Sequence, residues 1–326
     1  MKIAVVGAGS IGACVGARLA ATGQDVVLIA RGAHLEAIRT KGLTLVDHIG
    51  ELGGLYPLPA SDEPADFGVQ DVVLIGLKAH GIAAMLPRMR PLVGPQTTVV
   101  PMINGLPWWY FHREGGVHDG MALRTLDPDS TMFAALDPAR ILGCVVHIAA
   151  DVRAPGEVHH TGGRRIAVGE PDRTMSARMT QVADALDAAG FDTERATDIR
   201  QTVWVKLIGN LSFNPVAALT GCLMNQICDD DALLDVIRAV MREGMAVAAH
   251  YGYPISMTVD ERIDQGRKLG AARISMMQDL EQRRPLELAA IVGAVIELAE
   301  LAGIALPSTR HLHALTQARA RSLGIG

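Results

Sequence analysis

The chain opens on a continuous apolar run at 2–7, and three more follow within the first hundred residues, at 25–30, 71–77 and 97–103. Short aliphatic runs without polar alternation are the pattern of strands buried on both faces, as in a parallel sheet covered by helices. Helix-like stretches at 11–22, 33–40 and 79–90 separate them. Further on, the pattern predicts a strand at 143–149, a hairpin about Ala154-Pro155-Gly156, a strand at 164–169 and a helix at 174–189 that ends on Gly190. From about residue 197 strand patterns cease. Helices are predicted over 199–213, 229–250, 256–281 and 285–303, with Pro254, Pro285 and Pro307 marking starts or stops.

Composition narrows the classes. The 326 residues carry 30 Lys+Arg against 35 Asp+Glu, a net charge of −5, with 49% hydrophobic but only 4% aromatic residues and 34 glycines. An acidic average lacks the cationic footprint of a nucleic-acid binder, so no nucleic acid is expected as a partner. No apolar stretch reaches the ~18 residues of a membrane span, and the first residues enter a strand directly, so neither membrane insertion nor a leader is expected. Cys14, Cys144, Cys222 and Cys228 form no C-x-x-C pair and no zinc spacing. They read as free thiols of a reducing, cytoplasmic compartment, with no metal site.

Gly7-Ala8-Gly9-Ser10-Ile11-Gly12 is a G-x-G-x-x-G placed between a buried strand and a helix. Gly7 allows a tight turn, Gly9 lets the backbone approach a pyrophosphate, and Gly12 permits close packing of the helix, whose N-terminus supplies amide donors. The expected fold class is therefore α/β: an N-terminal Rossmann dinucleotide-binding domain, 1–196, and a C-terminal all-helical domain, 197–326. At the end of the second strand, where NAD sites carry an acid, stands Arg31, 24 residues beyond Gly7. A guanidinium there suits a 2′-phosphate, so NADP(H) is the expected cofactor; a surface arginine serving solubility is the plainer alternative. Lys78 and Asn104 follow the next two strands, where ligands of open α/β sheets bind or where a polar residue simply ends a strand.

Within the apolar stretch 204–215, Lys206, Asn210 and Asn214 recur every four residues and form one stripe along a helix. Enclosed among apolar neighbours, a lysine there would serve as a proton donor near neutral pH; a solvated stripe would more often carry several charges. A second cluster runs from Ser275-Met276-Met277-Gln278-Asp279 to Glu287, a lone acid opening an apolar helix, where capping alone would also account for it.

Taken in order, these motifs resemble the ketopantoate reductase family over essentially the whole chain. The resemblance rests on the glycine turn, Arg31, Leu77-Lys78-Ala79, Asn104-Gly105, Trp204-x-Lys206-Leu207-x-x-Asn210-x-x-x-Asn214-Pro215, and Ser275-Met276-Met277-Gln278-Asp279 with Glu287. It implies a Rossmann domain and a helical domain with the active site in the cleft between them. It also implies hydride transfer from NADPH to the C2 carbonyl of a 2-oxo acid, most directly 2-dehydropantoate to pantoate in pantothenate and coenzyme A synthesis. By that resemblance Lys206 is the general acid, with Glu287 beside it near the nicotinamide ribose. Asn210, Asn214 and Ser275 hold substrate, and Lys78, Asn104 and the backbone at Ala149 touch cofactor. A homodimer is the expected assembly.

The chain departs from the family pattern at Ala271-Ala272, at Leu288-Ala289-Ala290-Ile291-Val292-Gly293, and in an aromatic segment, Leu106-Pro107-Trp108-Trp109-Tyr110-Phe111-His112, while Asn225 matches a family asparagine only loosely. A less polar pocket wall around Ala272, Ala289 and Val292 would suit a bulkier 2-oxo acid, and Trp108 and Trp109 would line that pocket or fill an interface. Two further readings stand beside the first. One is an imine or opine-type reductase, which would need a histidine paired with an aspartate. The other is an NADP(H) sensor without catalysis, which would not need the lysine–asparagine stripe.

Overall fold

The first apolar run forms β1 (Lys2–Val6), buried at every position after Lys2. In the computed structural model, which describes residues 1–325, it is the central strand of a five-stranded parallel sheet. β2 (Asp25–Ile29) and β6 (Gln70–Ile75) flank it, with Val5 opposite Leu28 on one side and Leu74 on the other. β5 (Ala60–Ser61) and β7 (Val93–Pro101) close the edges, giving the order β5-β2-β1-β6-β7. The chain passes from β1 to β2 on one side and later returns to β6 on the other. The carboxyl ends of β1 and β6 therefore mark a topological switch point.

A second sheet belongs to the same unit and was not legible as such in the sequence. β3 (Leu43–Asp47) pairs antiparallel with β4 (Gly54–Tyr56) and parallel with the first half of β9 (Glu157–Gly169). The second half of β9 pairs parallel with β10 (Asp192–Arg195), and β8 (Gly143–Ala154) runs antiparallel along it. α1 (Ser10–Ala21) packs against strands of both sheets and is buried from Gly12 to Leu19. This double burial explains its run of Gly and Ala: a Cβ on Gly16 would already lie 3.1 Å from Leu28 Cδ2 and 3.2 Å from Val5 Cγ2. α2 (Gly32–Lys41), α3 (Ala79–Met85), α4 (Thr131–Ala135) and α5 (Ala177–Ala188) complete the unit.

Arg18 leaves α1 inside this core. Its Nη1 donates to Asp47 Oδ2 at 2.7 Å and lies 3.2 Å from His160 Nδ1, Nε donates to the Ala189 carbonyl at 2.9 Å, and the guanidinium stacks on Phe191 at 5.1 Å. The pair is held by these several contacts; leaving one partner alone would cost several kcal/mol.

The second unit is helical: α6 (Ile199–Thr220), α7 (Met224–Cys228), α8 (Asp231–His250), α9 (Val259–Arg267), α10 (Ser275–Glu281), α11 (Ala294–Ala302) and α12 (Pro307–Ser322). α6 and α8 cross closely, because Gly244 leaves room for Leu211, whose Cδ2 would stand 2.6 Å from a Cβ there. Two predicted helices change. α6 continues through Pro215, held by buried Leu211, Val216 and Ala217 on either side. The single helix expected at 256–281 is two helices: the intervening carbonyls of Gly270 and Ala272 accept the N–H groups of Asn225 and Met224, which docks α7 there. Among the described residues no helix is long and apolar enough to cross a membrane.

The division into units departs from a single cut between 196 and 197. Asn104–Tyr110 and Ala122–Asp129 pack with the helices, while Met1–Ile103, Phe111–Met121 and Ser130–Ile199 form the first unit. Trp109 and Tyr110 explain the first of these excursions. They surround the buried Arg200 guanidinium at 5.8 and 6.0 Å, Arg200 Nε donates to the Tyr110 carbonyl at 2.6 Å, and Trp204 Nε1 donates to the Tyr110 hydroxyl at 2.8 Å. Trp108 and Trp109 are 2% and 1% exposed, so they fill the core at the root of α6.

Candidate functional site

In the first unit the three motif glycines do different work. Gly7 has φ +96°, and its N–H and that of Ala8 both donate to the Ile29 carbonyl at 3.0 Å, which turns the chain sharply off β1. A Cβ on Gly12 would stand 2.2 Å from the Gly7 carbonyl oxygen, so only glycine lets α1 begin so close to the turn. Gly9 has nothing within 4 Å of the equivalent point. The backbone there is bare, and α1 starts with no side-chain cap and no acid in its first turn. Bare backbone, uncapped amides and open space fit a pyrophosphate, with Ser10 and Ile11 in the first helical turn. Gly76 is a fourth glycine that the motif alone does not reveal; a Cβ on it would meet the Gly7 oxygen at 2.6 Å and Gly12 Cα at 2.9 Å.

Arg31 stands just past β2 as the residue preceding α2, exposed, its side chain without a hydrogen-bond or ion-pair partner among the described residues. Lys78 holds the equivalent place before α3, beyond β6. The carboxyl ends of three adjacent parallel strands thus carry the glycine turn, Arg31 and Lys78, a donor set that fits a phosphorylated dinucleotide. Ala149 lies in β8 of the second sheet, at an irregular register, and its carbonyl already accepts from the Thr161 hydroxyl at 3.2 Å. His34 on α2 was missed by sequence reasoning: its Nδ1 accepts the N–H of Gly156, at the tip of the β8–β9 hairpin, at 3.0 Å.

In the second unit three residues far apart in sequence meet. Lys206 Nζ donates to Asn104 Oδ1 at 2.7 Å, and Asn104 Nδ2 donates to Glu287 Oε2 at 3.1 Å. The amide has only one workable orientation. A lysine offers donors alone and a carboxylate acceptors alone, so a flipped Asn104 would oppose donor to donor and acceptor to acceptor. Glu287 is 7% exposed. Its carbonyl accepts the first helical bond, from Ile291 at 3.0 Å, so the residue caps the helix while its side chain orients Asn104.

Asn104 is held from the backbone. A π-helical turn, Ala289–Gly293, leads into α11, and within it the Ala294 N–H bonds to the Ala289 carbonyl, one residue further back than in an α-helix. The carbonyl of Ala290 accepts Leu106 N–H instead, at 2.8 Å. Gly105, with φ +83°, lies flush on the turn; a Cβ would be 2.4 Å from the Ala290 carbonyl carbon and oxygen. The expected less polar pocket wall is therefore corrected at Val292, which with Ala290 and Ile291 is 0–1% exposed and packs in the helical core; Ala289 is exposed.

Asn210 and Asn214 follow Lys206 along α6. Asn214 is 4% exposed, yet neither amide makes a hydrogen bond with any described residue. Asn210 is half-buried, and open amides on both residues beside a lysine suit a polar ligand. Ser275 opens α10, exposed and equally unpaired. Asn225 spends its backbone N–H on Gly270, and its Oδ1 is buried without a partner among the described residues.

Comparison with known proteins places the chain in a family. The family model described as ketopantoate reductase PanE/ApbA matches residues 3–173, and its C-terminal companion matches 198–320. This chain belongs to the ketopantoate reductase family. As in that family, its N-terminal part is Rossmann-like and its C-terminal part helical. A relative from Mesorhizobium japonicum, named 2-dehydropantoate 2-reductase, is 41% identical over 97% of this chain and 97% of its own length. A solved structure from Ralstonia solanacearum MolK2, named as a candidate ketopantoate reductase, has a TM-score of 0.94 at 36% identity and covers 100% of this chain and 99% of the other. The structure of 2-dehydropantoate 2-reductase from Geobacter metallireducens GS-15 has a TM-score of 0.86 at 29% identity over 98% and 99%.

Proposed function

We propose that the chain reduces the C2 carbonyl of a 2-oxo acid to a hydroxyl with NADPH, 2-dehydropantoate to pantoate being the leading reaction. The observation that carries the reading is the Lys206–Asn104–Glu287 chain. NADPH, when bound, supplies the hydride. Lys206 Nζ holds a proton at the end of an oriented amide and delivers it to the carbonyl oxygen as negative charge develops there. Asn104 keeps Nζ in place, and Glu287 keeps the amide from flipping. Asn210, Asn214 and Ser275 offer open hydrogen-bonding groups for the substrate's carboxylate and hydroxyls. In the first unit Gly7 through Gly12 would hold the pyrophosphate, Arg31 the 2′-phosphate and Lys78 a cofactor phosphate. The Ala149 backbone has less to offer, its carbonyl being engaged.

We place the protein in the cytoplasm as a homodimer, which sedimentation at micromolar concentration would test. The activity is tested by loss of NADPH absorbance across a panel of 2-oxo acids, with imines as controls. Turnover of 2-dehydropantoate that falls at least about 100-fold in Lys206→Ala, with NADPH still bound, is the expected result. NADPH binding without oxidation of any panel member would point instead to a sensor.

A further inference from the structure

Gly209 lies on α6 between Lys206 and Asn210, and the place of its missing side chain is taken. A Cβ there would stand 1.9 Å from Nη2 of Arg262 and 2.6 Å from its Cζ. α9 meets α6 one helical turn apart at two points: Arg262 on Gly209, and Gly266 on Phe213, whose Cζ would be 3.0 Å from a Cβ at 266. The Arg262 guanidinium thus stands where side chain 209 would project. Positions 206 and 209 are neighbours on a helix surface, roughly 5–6 Å apart at Cβ, so the cation lies beside Lys206, on the flank of α6 away from Asn210 and Asn214.

No described residue neutralises it. Arg262 is partly buried and makes no hydrogen bond, ion pair or ring contact with any described residue. The acids of its own helix are engaged elsewhere: Asp260 with Arg238, Glu261 with the N-cap Thr258, Asp264 with Arg267. Burial pulls the guanidinium below its ordinary value, with no carboxylate to oppose the shift. A desolvated cation is costly unless an anion meets it, and the fork of guanidinium N–H groups matches a carboxylate in particular.

We propose that Arg262 receives a carboxylate of the substrate, giving the site a second cation beside Lys206. The proposal rests on the reading of this chain as a 2-oxo acid reductase and adds the residue that selects for the acid. The carboxylate is either the one adjacent to the reacting carbonyl or one at the far end of the substrate, and two substrates separate these sources.

Arg262→Met and Arg262→Lys are compared with wild type on 2-dehydropantoate, which has one carboxylate, and on 2-oxoglutarate, which has two. KM in Arg262→Met should rise about 10- to 100-fold while kcat stays within about threefold, with partial recovery in Arg262→Lys. A rise on both substrates assigns the carboxylate next to the carbonyl; a rise on 2-oxoglutarate alone assigns the distal one. KM unchanged on both overturns the proposal. Should wild type reduce no 2-oxo acid, the reductase reading fails, and calorimetric titration with oxalate still tests Arg262. Wild type should bind oxalate and Arg262→Met should not. Should Arg262→Met not fold, Arg262→Lys, which keeps the charge and loses the fork, should bind at least about 10-fold more weakly. Equal affinities, or no binding by wild type, overturn it.

Discussion

Leu106 donates its backbone N–H to the carbonyl of Ala290 at 2.8 Å, and this one bond sets Asn104 between Lys206 and Glu287. The carbonyl is free to accept because the π-helical turn returns the Ala294 N–H to Ala289. A wide turn of this kind is retained where it positions a functional group.

Gly105→Ala should disturb that contact at once, since its Cβ would fall 2.4 Å from the Ala290 carbonyl and the backbone sits at φ +83°. We expect kcat to fall at least about 100-fold, as for a misplaced proton donor, while KM for NADPH stays within about twofold. Steady-state kinetics with a melting curve checks this; kcat within threefold of wild type would contradict it.

Glu287→Gln removes the carboxylate that fixes the Asn104 amide. A glutamine can donate or accept, so both orientations of Asn104 become available and part of the population turns its NH2 toward Lys206. The expected outcome is a kcat loss of about 10-fold or more with an altered pH profile. The profile matters because a purely structural loss would scale kcat without moving its inflections.

Arg31→Asp places an acid where ribose hydroxyls are bound in NAD sites and removes the guanidinium that directly follows β2. KM for NADPH should rise about 100-fold and KM for NADH should fall or hold. Unchanged cofactor preference would mean that the 2′-phosphate is held by another residue.

Acid should weaken the first unit. Burial holds His160 below its ordinary value, and backbone N–H bonds from Leu52 and Ile49 with the Arg18 charge hold Asp47 below the carboxylate range despite its burial. Both bind protons less readily folded than unfolded, so their contribution is complete above the ordinary histidine value near 6.5 and is lost as pH falls through the folded values. The melting temperature should drop by at least about 2 °C between pH 7 and pH 5, and His160→Gln should flatten part of that drop. His34, also lowered by burial, contributes in the same unit. A slope identical in the variant would refute the assignment to His160.

Much of this protein is determined locally and could be read along the chain. Four largely aliphatic runs made the parallel sheet legible, because strands buried on both faces are mostly apolar, and Gly7 and Gly12 meet backbone demands that a Cβ would break. The every-fourth spacing of Lys206, Asn210 and Asn214 predicted one helical stripe because helix geometry requires it. Only the tertiary structure decided the rest. Asn104 follows a strand and reads as a cofactor contact, yet its amide lies between Lys206 and Glu287, 102 and 183 residues away. The second sheet depends on β3 meeting β9, a pairing between short segments with no periodic signature at that range. Arg262 stands in a helix rich in charged residues, and nothing in the sequence singles it out. Its neighbour Gly209 gave no hint, because a missing side chain acquires meaning only from what fills its place.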